Sequence, residues 1–178
     1  NPKELLKKHE DVVLPRMPGK VHVVHGEELE IAWELVRRNI CQWLPLDKVY
    51  KVGGQRILNG LFGVSKPACL EDGRSVLRLI MNLTGSNATQ EQLVGGCNTL
   101  PNITCWQSLV IDEGESLSCF QSDMSAAFYL FRIPECWQAH LAFNVVTSGI
   151  NLNGNPNQLF ALCCNVIPMG WQSSVGIM

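Results

Sequence analysis

Leu117-Ser-Cys-Phe-Gln-Ser-Asp-Met-Ser-Ala-Ala-Phe-Tyr-Leu-Phe-Arg-Ile-Pro134 is the segment on which the reading of this chain turns. Leu117 to Met124 reads as a buried strand ending in an acid, Asp123, followed by a compact turn or short helix through Phe131 and a stop at Pro134. A carboxylate closing an apolar strand is costly to bury alone. A bound cation is one natural partner. The other is the following turn, which Asp123 would cap through the Ser125 and Ala126 amides. Local sequence leaves both open.

Downstream, Ala139–Val146 and Gln158–Ile167 read as two further strands. The turn-forming run Ser148–Asn157 between them predicts that they pair antiparallel. Pro168-Met-Gly170 then turns the chain toward a helix over Trp171–Met178. Upstream, Gly63–Asn87 has the shape of a hairpin, with Asp72-Gly73 as its turn and Val76–Leu83 as the returning strand. Thr89-Gln-Glu-Gln92 fits a capping box for a short helix closed by Gly95-Gly96. In Glu27–Trp43, apolar residues at three- and four-residue steps (Leu29, Ala32, Trp33, Val36, Ile40, Trp43) predict an amphipathic helix ended by Pro45. Residues 1–25 read as a lead-in. The expected class is α+β, in three segments: 1–57, 58–111 and 112–178.

The 178 residues are 46% apolar and 17% charged, the composition of a folding chain. No stretch approaches the roughly 18 uncharged apolar residues of a membrane span, so no membrane partner is expected and an intracellular setting is. The net charge of −2 is unevenly spread. Up to Arg78 there are 13 basic and 10 acidic residues; beyond it Arg132 stands against six acids. A basic first part suits phosphate contact, whereas a base-poor second part suits either cation binding or plain burial. The eight cysteines include no C-x-x-C pair, which argues against structural zinc. An even cysteine count and the acceptor triplets at Asn82, Asn87 and Asn102 keep open a disulfide-linked extracellular binding module.

Four segments, in order, resemble the reverse transcriptases of retroviruses and retrotransposons. Arg78-Leu-Ile-Met-Asn-Leu-Thr-Gly-Ser-Asn87 is similar to that family's fingers strand, R-x-x-x-D-x-R-x-x-N. Asp123 to Pro134 resembles its first catalytic motif, an Asp followed five positions later by an aromatic and then by Ile-Pro. Leu141-Ala-Phe143 is similar to the next short strand, and Pro168-Met-Gly-Trp-Gln-Ser-Ser174 to the P-Q-G-x-x-x-S motif. The resemblance implies a partial right-hand polymerase, holding fingers and early palm and ending before the family's Asp-Asp hairpin. It implies nucleotidyl transfer in the intact protein, with an RNA template, a DNA primer, deoxynucleoside triphosphates and Mg2+, and an inactive fragment. Asp123 would be the catalytic, metal-binding carboxylate. Phe128 would lie under the incoming sugar and exclude a 2′-hydroxyl, Arg78 and Lys66 would grip the triphosphate, and Met169 and Gly170 would flank the nucleotide or template. Phe128 has a competing reading as a core side chain, with Tyr129 and Phe131.

The departures are Asn82 for Asp, Thr84 for Arg, Met169 for Gln and Val175 for Pro. They leave a non-catalytic retroelement remnant or interaction domain as the alternative. The enzyme reading expects Asp123 and Phe128 to share a cleft beside the glycine turn.

Overall fold

The computed structural model describes residues 2–24, 26–93, 95, 96, 104, 107 and 109–177. It is mixed helix and sheet, with small, mainly antiparallel sheets, as an α+β chain should be. The lead-in holds a helical turn, α1 (Pro2–Leu5), and a two-residue strand, β1 (Val21–His22). The amphipathic helix α2 spans Glu28–Arg37, shorter than the 27–43 periodicity implies. Asn39 takes a left-handed conformation at φ 58°. The Asn39 amide then donates to the Val36 carbonyl and the Ile40 amide to the Leu35 carbonyl, which closes the helix with a Schellman motif. The last apolar positions of the pattern therefore leave the helix. Trp43 lies on strand β2 (Cys41–Pro45), where its ring meets Trp33 edge-on at 5.7 Å.

A small ribbon, β3 (Lys51–Val52) with β4 (Gln55–Arg56), leads into the long hairpin of β5 (Gly60–Cys69) and β6 (Ser75–Asn82). The Asp72-Gly73 turn forms as expected. Gly73 takes φ 82°, and Asp72 accepts from the Arg74 amide and guanidinium. The expected helix at 89–92 is absent. Helix α3 is Thr84–Ala88, and Thr89 instead donates its hydroxyl back to the Ser86 carbonyl at 2.8 Å. Gln90 is fully buried.

The segment Leu117–Met124 corrects the reading most sharply, because it forms no strand and stays at the surface. Phe120 is 96% exposed, Met124 55% and Leu117 49%. A strand forms only where a neighbouring backbone offers ladder hydrogen bonds, and none of the described strands runs beside this one. The turn after it is present as a 3-10 helix over Ala127–Leu130, entered through left-handed Ala126. A four-residue helix, α4 (Glu135–Gln138), precedes the expected antiparallel pair, β7 (Ala142–Ser148) and β8 (Leu159–Cys164). β8 is central, flanked by β7 and β2, and Cys41 stands opposite Cys164. The final helix α5 covers only Ser174–Ile177.

One main core joins these elements. It takes Ala32, Leu35 and Cys41 from the first part, Leu61, Met81 and Leu83 from the hairpin region, and Trp137, Leu141, Phe143, Leu162 and Trp171 from the remainder. Buried Asn59, just before β5, ties α3 to β7. Its amide nitrogen donates to the Ser86 hydroxyl and the Ala142 carbonyl, both at 2.7 Å, and its oxygen accepts from the Ser86 amide. Cys41, Cys163 and Cys164 are buried free thiols, while Cys69, Cys119 and Cys136 are exposed ones. Cys97 and Cys105 lie outside the described residues.

Candidate nucleic-acid interface

Strand alternation decides what β6 presents. Met81 is buried and Leu79 packs on the core, so Arg78, Ile80 and Asn82 fall on the opposite face. Their cross-strand partners on β5 are Val64, Phe62 and Gly60. Beside this face lies a depression of about 370 Å3 whose wall includes Phe62, Ile80, Asn82, Thr84, Asn87 and Gly170. A second, of about 290 Å3, continues from it along Phe62, Asn82 and Thr84 to Lys20 and the Pro15–Pro18 segment. Together they make one groove with an aromatic ring, neutral polar side chains and a glycine turn.

The glycine turn is locked to α3 across more than 80 residues of sequence. The Asn87 amide nitrogen donates to the Gly170 carbonyl at 2.9 Å, and the Asn87 oxygen accepts from the Gln172 backbone amide at 3.0 Å. The Gln172 side chain donates to the Gln90 carbonyl, and the Trp171 indole donates to the Gln90 side-chain oxygen, each at 2.7 Å. Gly170 sits at φ 114°, and a Cβ there would stand 2.3 Å from the Met81 carbonyl oxygen. Only glycine permits this approach of the turn to β6. With its amide occupied in these bonds, Asn87 is a poor glycan acceptor.

At the two positions where the resemblance expects Asp and Arg, a neutral pair forms instead. Asn82 accepts from the Thr84 hydroxyl at 2.6 Å and from the Thr84 backbone amide at 3.2 Å. The pair opens α3 without a charge. Arg78 and Lys66 share the exposed outer half of the hairpin, Arg78 opposite Val64 and Lys66 two residues past Val64, where the ladder register breaks. Arg78 makes no ion pair among the described residues. Burial pushes the Tyr129 phenol up, the buried thiols of Cys164 and Cys41 add to this, and the Arg78 charge opposes it. The guanidinium is thus within electrostatic reach of the 127–130 turn.

The remaining expected site residues are not brought to this groove. Asp123 stands on exposed chain, and Phe128 packs half-buried against the main core beside Tyr129. Neither lines the groove, so acid, ring and glycine do not share a cleft here. Met169 is half-buried beside the turn. Among the described residues no group of three or more His, Cys, Asp or Glu side chains converges to hold a metal ion. Asp123 is a hard oxygen donor of the kind Mg2+ takes, but one carboxylate falls short of a two-ion site. Phe62, Thr84 and Asn87 also line the groove, and the sequence alone marks none of them as a site residue. Phe62 sits in an unremarkable strand, and only its pairing with Ile80 places it beside Asn82.

No protein-family model and no curated protein sequence matches the chain. Among solved structures it is similar to a foamy viral protease-reverse transcriptase in complex with double-stranded DNA, with a TM-score of 0.51 and 13% identity. The match covers 98% of this chain and 28% of that one. At such identity the likeness is one of fold.

Proposed function

We propose that the chain is the fingers and early palm of a reverse transcriptase-like polymerase, and that its groove seats single-stranded template. The observation that carries this reading is the groove itself: an aromatic ring, Phe62, on the hairpin face, with the Asn82–Thr84 pair and the locked glycine turn beside it. Unpaired bases stack on aromatic rings without regard to sequence, and a strand backbone approaches closely where a glycine leaves room. Lys20 at one end of the groove, with Arg78 and Lys66 on the hairpin, supplies phosphate contacts. The four-segment resemblance and the fold likeness to a reverse transcriptase support the same assignment.

In this reading catalysis would need carboxylates besides Asp123. With them Asp123 would hold Mg2+, which supplies charge stabilisation for nucleotidyl transfer. The resemblance gives Phe128 the sugar and Arg78 and Lys66 the triphosphate, roles that would require Phe128 to leave its packing on the core and to share a cleft with Asp123.

Fluorescence anisotropy with a labelled single-stranded RNA or DNA oligonucleotide tests the groove. Binding should weaken as salt rises. Phe62→Ala should weaken it by about 1–3 kcal/mol, the worth of one stacked base, and Arg78→Ala should lower the salt slope. Wild-type affinity in both variants would remove the groove from the function. In the full-length enzyme, Phe128→Val should raise ribonucleotide incorporation, and unchanged sugar discrimination would remove Phe128 from the site. A second reading, a non-catalytic interaction domain, draws on the exposed apolar segment 117–124. Detectable primer extension by the full-length protein, lost in Asp123→Asn, separates the two.

A further inference from the structure

Behind the hairpin lies a larger cavity, about 690 Å3, between β1, α2 and the β5–β6 hairpin. Its size falls within the roughly 300–1,000 Å3 of small-molecule pockets. The floor is apolar and part of the core, with Ala32, Leu61 and Leu162 buried beneath it. At the lining stand two apolar side chains that the fold leaves uncovered, Leu77 at 62% and Val24 at 68% exposure. The charged lining residues are Glu27 and Glu28, with no Lys or Arg among them. Glu28 uses one carboxylate oxygen to accept from the Gly26 amide, and Glu27 makes no ion pair among the described residues. The start of α2 carries about half a positive charge from its macrodipole, which two full carboxylates outweigh.

We propose that this cavity binds an amphipathic organic cation, its apolar body on the Ala32–Leu61–Leu162 floor and its ammonium group against Glu27 and Glu28. The site lies beside the nucleic-acid groove rather than in it. Phe62 and His22 form part of the wall of both, meeting edge-on at 6.4 Å.

The test titrates the 178-residue chain with 5-(dansylamino)pentylamine and, in parallel, with its uncharged N-acetyl counterpart, following dansyl emission. The cationic probe should bind saturably and at least tenfold more tightly than the acetylated one. The double variant Glu27→Gln/Glu28→Gln should erase that preference while leaving the acetylated probe unchanged. Ile31→Trp, at a half-buried lining position, should fill the cavity and abolish binding of both probes, with circular dichroism confirming the fold. Absence of saturable binding, equal affinity for the two probes in the wild-type chain, or a preference that survives the glutamine substitutions would each overturn the proposal. So would unchanged binding in folded Ile31→Trp. Because the readout involves no nucleic acid, its failure is distinguishable from failure of the template groove.

Discussion

At Gly170 the backbone conformation and the space available agree: φ is 114°, and a methyl group would stand 2.3 Å from the Met81 carbonyl. Gly170→Ala should destabilise the chain by about 1–3 kcal/mol from backbone strain alone, with more from the clash, read as a lowered urea midpoint. His140 makes a different kind of prediction. Its ring is buried between Tyr50 and Trp137, its Nδ1 finds no partner among the described residues, and burial holds its pKa down at about 4, against 6.5 for the free side chain. Between those values the unfolded chain binds a proton that the folded chain refuses. Stability should be undiminished above pH 6.5 and fall as pH drops toward 4, by up to about 3 kcal/mol. His140→Phe should flatten that part of the pH profile of the urea midpoint, and an unaltered slope would show that other groups cause it. Both residues are readable as types, Gly170 as part of a motif and His140 only as one of four histidines. What made His140 distinctive was its burial, which no local pattern announces.

Among the elements, the hairpin and the antiparallel pair β7–β8 follow from turn chemistry written in consecutive residues, Asp72-Gly73 in one case and Ser148–Asn157 in the other. Helix α2 was legible in its periodicity but not in its end. Ile40 and Trp43 continue the apolar spacing, and the break comes from Asn39 turning left-handed. Asn39→Gly should be tolerated, because glycine takes this conformation freely. Asn39→Val should cost about 1–2 kcal/mol, measured by thermal unfolding, and an equal effect of both would remove the left-handed cap as the cause. Asn59 shows how elements distant in sequence are joined. Asn59→Ala would strip the buried Ser86 amide of its acceptor and should cost about 1–3 kcal/mol, with hydrogen exchange accelerated in α3 and β7 together. Exchange confined to one of them would mean that the side chain does not couple the two.

On the scale of the whole molecule, Leu117–Met124 separates the described fold from the expected one. A Phe120 side chain in a packed strand would cost about 3–5 kcal/mol to truncate. Exposed as it is, Phe120→Ser should change stability by less than about 0.5 kcal/mol and reduce self-association seen by light scattering. A loss of several kcal/mol would restore the buried strand. Asp123 shares the fate of this segment and stands apart from the groove at Phe62, Asn82 and Gly170. By itself the order of amino acids determined the α+β class, the two hairpin-like pairings and the existence of α2, because turns and periodicity are set by neighbours along the chain. Tertiary structure alone decided that Asn87 and Gln90 clamp the 170–172 turn, that Phe62 belongs to the groove, that Phe128 packs on the core and that 117–124 stays uncovered. Hydrogen-bond partners, burial and strand pairing depend on residues far away in the chain, and their choice leaves no mark in the local sequence.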